Sequence, residues 1–178
     1  MGDFSWPFFY TYPPYFTLQP VKETRQKQSA LWIELILKYC RHHKVYQLTT
    51  DPSDDSPLFS NQSINRRLTQ EGRSTFLTEL VARGNGLWLD NNQRTCLVLW
   101  HTAEQWADIV YEWARSLGLE GSVTTVDELS TGDEVQGTEL AGMPRAVLME
   151  ALKVLERRGK ARIFKGAAAD DDGVKFFK

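Results

Sequence analysis

The sequence is short of the residues that chemistry usually needs. Among 178 residues there are two cysteines and three histidines. Cys40 falls in a helical pattern and Cys96 in a strand pattern, without zinc-ligand spacing, so both read as buried thiols rather than a disulfide or a metal site. His42 and His43 sit together at the end of a helical pattern, where a cation complements the helix C-terminus. His101 has no partner motif, and there is no HExxH, no G-x-S-x-G and no phosphate loop. Charge of one sign is not in excess either: 21 Lys and Arg stand against 23 Asp and Glu, a net −2. No global basic field draws the chain to nucleic acid or acidic lipid, and no polybasic segment marks direct membrane contact. These absences predict no enzyme, no cofactor and no metal.

Aromatic residues are what the first stretch has. "FSWPFFYTYPPYF" runs from Phe4 to Phe16 and carries Phe4, Trp6, Phe8, Phe9, Tyr10, Tyr12, Tyr15 and Phe16, with Asp3 the only charge before Lys22. Pro7, Pro13 and Pro14 interrupt it, and no Lys or Arg precedes it, so it reads as neither a signal peptide nor a membrane span. The expected compartment is the cytosol. A free arm this apolar is sticky unless buried. It either packs on its own domain or docks into another chain. The prolines favour docking for Pro13-Pro14-Tyr15-Phe16, because consecutive prolines hold an extended conformation and lower the ordering cost on binding. Asn61-Gln62-Ser63 also fits the glycosylation pattern, which is meaningless without secretion.

A weak internal repeat organises the rest. "LTELVARGNGLWL" from Leu77 and "LKVLERRGKARIF" from Leu152 align Leu77 with Leu152, Leu80 with Leu155, Arg83 with Arg158 and Gly84 with Gly159. Each glycine ends a helix, and strand-like segments follow, then a second strand: "TCLVLW" from Thr95 and "VKFF" from Val174. Asn91-Asn92 reads as a tight hairpin turn. Each unit opens on a longer amphipathic helix, Thr24 to about His42 and Glu104 to about Leu117. A short strand ("YQLT", "SVTT") and a short middle helix follow, about Ser63–Leu68 in the first unit and Thr125–Leu129 in the second, with Thr125 or Thr124 as cap. Three helices followed by a two-stranded hairpin is the winged-helix order. The expected fold is α+β, mainly α: a partner-binding arm over 1–20 outside both domains, and tandem winged helices over 21–102 and 103–178.

Winged helices often read DNA, and a nucleic-acid-binding module is the alternative function. Groove reading needs Arg, Lys, Asn or Gln on the outward face of the third helix and cations nearby for phosphates. The first unit offers Thr75, Thr78, Glu79 and Ala82 there; the second offers Ala146, Glu150, Lys153 and Arg157, of mixed sign, below a wing carrying Asp170-Asp171-Asp172. Such a surface cannot neutralise phosphates, which argues against a nucleic-acid partner.

The runs "WP…PPYFTLQP" (Trp6 to Pro20), "TRQKQ" (Thr24 to Gln28), "SPLF" (Ser56 to Phe59), "WLD" (Trp88 to Asp90) and "GVKFF" (Gly173 to Phe177) resemble the small-subunit family of the ESCRT-II complex, across the whole chain. The resemblance implies tandem winged helices and a scaffold present in two copies per complex. Each copy would dock on one of the two larger ESCRT-II subunits through the arm. Carried over, the contacts are Pro13, Pro14 and Phe16, with Tyr15 at the variable position; Trp6 and Pro7 also match the family's arm. The resemblance further implies that the second winged helix recruits an ESCRT-III subunit, in sorting ubiquitinated cargo into multivesicular endosomes, on a cytoplasmic protein recruited to the endosomal membrane with indirect membrane contact. ESCRT-III subunits of that family's pathway have basic N-terminal helices, so Asp170, Asp171 and Asp172 are candidates for this contact by charge, with Glu150 and Lys153 as further candidates.

Overall fold

Helix α1 (Lys22–His43) forms because Trp32, Leu35, Ile36, Tyr39 and Cys40 recur at helical spacing and are buried together. It ends at Lys44, which turns into the left-handed region (φ 52°) so that the Val45 N–H reaches the Cys40 carbonyl. The computed structural model describes residues 2–178 in two units, Trp100 closing the first and His101 opening the second. In the first, β1 (Gln47–Thr49) is followed by a hairpin of β2 (Ser60–Asn61) and β3 (Arg66–Arg67), then α2 (Gln70–Ala82), β4 (Gly86–Trp88) and β5 (Thr95–Val98). The sheet order is β1-β5-β4, all antiparallel. The Trp32 ring, fully buried, stacks on Phe76 at 5.7 Å and meets Phe59, Phe9 and Phe16 around its edge.

The second unit repeats the plan: α3 (Ala103–Ser116), β6 (Val123–Thr125), α4 (Glu128–Thr131), α5 (Arg145–Arg157), β7 (Ala161–Phe164) and β8 (Gly173–Phe176). Its sheet order, β6-β8-β7, matches β1-β5-β4 strand for strand. A capping box opens α3: the Thr102 hydroxyl accepts from the Gln105 N–H and the Gln105 side chain accepts from the Thr102 N–H. Thr125 caps α4, accepting from the Glu128 N–H at 3.2 Å while the Glu128 carboxylate accepts from the Thr125 N–H and the Thr124 hydroxyl. Val147, Leu148, Ala151, Leu152, Val154 and Leu155 of α5 form the buried stripe.

The repeat is physical as well as textual. Gly84 and Gly159 take φ of 79° and 69°, which a Cβ would oppose. Behind them the Asn85 and Lys160 N–H groups donate to the Leu80 and Leu155 carbonyls, while Gly84 and Gly159 donate to Val81 and Glu156. Both helices therefore end in the same two-bond Schellman closure.

One expectation needs correction. The middle helix of the first unit does not form over Ser63–Leu68: a short 3-10 helix (Gln62–Ile64) is stopped by Asn65 at φ 51°, and the chain then pairs as β3. The β4–β5 turn centres on Asn91-Asn92 as expected, closed by the Gln93 N–H donating to the Asp90 carbonyl at 3.1 Å; Gln93 then takes the left-handed conformation, and the Asp90 carboxylate accepts from the Arg94 and Thr95 N–H groups. Those bonds hold the Asp90 carboxyl below its ordinary range. The stretch around Asp127 and Asp133 packs on its unit through Leu129, Val135 and Leu140, which are buried. The thiols Cys40 and Cys96 are free and buried; burial pushes Cys96 up to about 12 and Cys40 higher still.

Candidate functional site

The aromatic arm folds into two short 3-10 helices, Phe8–Thr11 and Pro13–Phe16, each with a proline at its start: Pro7 precedes the first and Pro13-Pro14 open the second. Proline suits a helical first turn because its missing N–H has no partner there anyway. Polar side chains from the body of the unit hold the arm's carbonyls. The Trp32 indole donates to the Tyr15 carbonyl at 2.8 Å, and Gln28, itself buried, donates to the Tyr15 and Thr17 carbonyls at 3.0 and 2.8 Å. Arg25 donates to the Gln19 carbonyl at 2.7 Å, and Asn61 to the Tyr10 carbonyl at 2.7 Å. Asn61 is buried by that bond, so the glycosylation pattern has no surface to act from.

The arm's side chains split into an inward and an outward set. Phe9, Tyr10 and Phe16 join the core, and the Tyr10 hydroxyl donates to the Ser60 carbonyl at 3.1 Å and also contacts the Pro57 carbonyl. Burial, with a smaller contribution from Tyr39, pushes the Tyr10 phenol up to about 12. Trp6 stacks on Tyr10 at 3.9 Å, and Phe4 meets Tyr39 and His43. The outward set is Phe8, 76% exposed, Tyr12, 55% exposed, and Pro14; Trp6, Pro7, Pro13 and Tyr15 are half-buried. Between the arm and α1 lies a groove of about 830 Å³, floored by Leu31 and Leu35, walled by Trp6 and Phe8, and rimmed by Lys38 and Arg41.

This corrects the placement of residues 1–20 outside both domains: the arm is built into the first unit. It also corrects Phe16, which is 3% exposed and serves as an inward anchor of the arm. Phe8 and Tyr12 were missed as the most exposed of its aromatics. The available signal was a proline ahead of each short turn, which marks a helical start as readily as an extended one. Gln28 was legible only as part of "TRQKQ".

In the second unit the wing aspartates separate. Asp170 and Asp171 are exposed in a short turn (Ala169–Asp171), but Asp172 is buried, its carboxylate paired with Arg145 and accepting from the Gly166 N–H at 3.0 Å. It pins the wing to α5 and is withdrawn from any partner. Glu150 and Lys153 pair with each other at 2.8 Å on the outward face of α5. Among the described residues no group of three His, Cys, Asp or Glu could hold a metal ion, and no helix is long and apolar enough to cross a membrane.

Residues 9–144 match the family model described as ESCRT-II complex subunit. The chain is 53% identical to vacuolar protein sorting-associated protein 25 of Arabidopsis thaliana over 176 residues, covering 99% of this chain and 97% of that one. It is 40% identical to the Homo sapiens protein of the same name over 175 residues, covering 98% of each. The solved VPS25 subunit of the endosomal trafficking complex ESCRT-II superposes with a TM-score of 0.85 at 28% identity, over 96% of this chain and 97% of that one. A chain of the crystallised ESCRT-II complex of VPS22, VPS25 and VPS36 superposes with a TM-score of 0.82 at 28% identity, over 96% and 98%.

Proposed function

From the premise that this chain belongs to the ESCRT-II complex subunit family, we propose that it is the small scaffold subunit of an endosomal ESCRT-II complex and docks on the two larger subunits through its arm. The relatives' assembly with VPS22 and VPS36 supports this reading. The observation that carries it is the division of the arm: inward rings and five polar bonds fix its backbone, so that Phe8, Tyr12 and Pro14 stand outward in a set geometry. Preorganised aromatics lose little entropy on binding and serve as anchors in a partner's pockets. Trp6, Pro7, Pro13 and Tyr15 complete the surface, with Phe16 holding it from beneath. Two copies of the chain serve one complex, one on each larger subunit.

The second unit recruits an ESCRT-III subunit, through Glu150, Lys153, Asp170 and Asp171. The complex then acts in sorting ubiquitinated membrane cargo into multivesicular endosomes, as a cytoplasmic assembly that reaches the endosomal membrane through its partners.

Co-expression with the two larger subunits tests the arm. Phe8→Ala with Tyr12→Ala leaves the fold intact and abolishes co-purification; a folded double variant that still co-purifies overturns the reading. For the second contact, Asp170→Lys with Asp171→Lys lowers pull-down of the ESCRT-III subunit, and unchanged recruitment removes these residues from the surface.

A further inference from the structure

The run Arg66-Arg67-Leu68-Thr69 in the first unit takes no part in the docking described above. Thr69 is the only Ser or Thr of the sequence with arginine both three and two places before it. The fold sets this run out on the surface. Arg66 and Arg67 form β3, and Thr69 keeps an extended backbone (φ −67°, ψ 164°) just ahead of α2. Arg66, Arg67 and Thr69 are exposed, and only Leu68 turns into the core. Among the described residues β3 pairs with β2 alone, so its other edge is open.

Two guanidiniums just upstream of a hydroxyl, on an extended chain, suit the carboxylate-lined substrate groove of an arginine-directed protein kinase, because arginine pairs with carboxylates in bidentate fashion. Little holds the hydroxyl back. Thr69 Oγ1 accepts from the Gly72 N–H at 3.1 Å, and the first N–H groups of a helix have no ladder partner. Opening that one cap frees the exposed Gln70 and Glu71, while the fully buried Arg73 anchors the rest of α2.

We propose that Thr69 is a phosphoryl-acceptor site for an arginine-directed kinase, and that the phosphate takes Arg67 from Asp55. The Thr69 oxygen attacks the γ-phosphorus of ATP, the bond from that phosphorus to the β-phosphate oxygen breaks, ADP leaves, and the hydroxyl proton passes to the kinase's aspartate. The product carries about 1.5–2 negative charges at neutral pH. Side chains two apart on an extended chain share a face, which puts Arg67 beside Thr69. In the unmodified chain Arg67 pairs with the exposed Asp55 and donates to the Pro52 carbonyl at 2.7 Å. A phosphate offers it more charge and more acceptor oxygens than one carboxylate does. These two bonds tether the connection between β1 and β2 from outside, as Arg73 tethers it from within through the Asp51 and Asp54 carbonyls. Phosphorylation loosens the outer tether and leaves the inner one in place.

The test uses the full chain with ATP, magnesium and, as probe, the catalytic subunit of cyclic-AMP-dependent protein kinase. Peptide mass spectrometry finds one phosphate, on Thr69. Thr69→Asn keeps the cap, since asparagine serves there as well as threonine, and takes none. Arg66→Ala changes an exposed residue that makes no ion pair among the described residues. It slows the transfer about tenfold or more, the loss of one charge-assisted bond. The Ser53 and Asp54 N–H groups donate to Asp51, and their exchange quickens in the phosphorylated chain. Unphosphorylated Arg67→Ala shows the same quickening. Circular dichroism confirms that the variants are folded. A folded chain that takes no phosphate on Thr69, an unchanged rate for Arg66→Ala, or unchanged exchange at Ser53 and Asp54 in the phosphorylated chain each overturns the proposal.

Discussion

The indole nitrogen of Trp32, at the centre of the first unit's core, donates to the backbone carbonyl of Tyr15 at 2.8 Å. One side chain thus ties the packing of α1 to the position of the proline-aromatic arm. Trp32→Phe keeps most of the ring and removes the bond. A net protein hydrogen bond is worth about 1 kcal/mol, and the smaller ring adds a cavity cost, so the loss is about 2 kcal/mol in all. The urea midpoint reports it. Amide exchange over residues 15–17 quickens more than exchange in α5, whereas uniform quickening would show that the bond does not hold the arm.

Phe16 and Phe8 are eight positions apart in sequence and opposite in role. Phe16→Ala empties a fully packed site and lowers stability by about 3–5 kcal/mol. Phe8→Ala, on an exposed ring, changes stability by about 0.5 kcal/mol or less. Thermal denaturation of the two variants separates them; equal losses would mean that the arm does not sit as described.

The Tyr10 phenol sits at about 12 because burial disfavours its anion. An unfolded tyrosine ionises near pH 10. The folded state therefore holds its proton to higher pH than the unfolded state, and this contribution is complete below about pH 10 and lost as pH rises from there towards 12. Stability falls across that window, and Tyr10→Phe flattens the fall. Denaturant titrations from pH 9 to 11.5 show it, and an unchanged slope in the variant would assign the effect elsewhere.

Arg73 is fully buried on α2, donating to the Asp51 and Asp54 carbonyls at 2.8 and 2.9 Å, with its guanidinium 4.9 Å from the Phe59 ring. It closes the long connection between β1 and β2 onto the core. Arg73→Met fills similar volume but strands two carbonyls and releases a half-exposed Asp54, costing about 2–4 kcal/mol. Protease cleavage within residues 51–57 accelerates in the variant. Cleavage at the wild-type rate would show that Arg73 does not hold this loop.

Periodicity, caps and breakers act over a few residues, which is why so much of the architecture was legible. The stripes of α1 and α5, the stops at Gly84 and Gly159 and the Thr125 cap all depend on neighbours within one or two turns. The middle helix of the first unit failed on the same scale, because Asn65 adopts a left-handed turn that serine and isoleucine before it do not announce. The site was harder. Eight aromatics mark the arm as apolar, but the direction each ring faces depends on groups distant in sequence: Tyr10 on Pro57 and Ser60, and its carbonyl on Asn61. Asp172 looked like one of three wing charges until Arg145, far back on α5, claimed it.

By itself the sequence determined the two winged-helix units, the thiol state expected of Cys40 and Cys96, and the family. Local conformational preference and a long, specific likeness need no knowledge of what folds against what. Only the tertiary structure decided that the arm is part of the first unit, that Phe16 points in while Phe8 points out, and that Arg73 and Asp172 are structural. A buried polar group must find partners wherever the chain brings them, and an aromatic ring is buried or offered according to the surface beneath it.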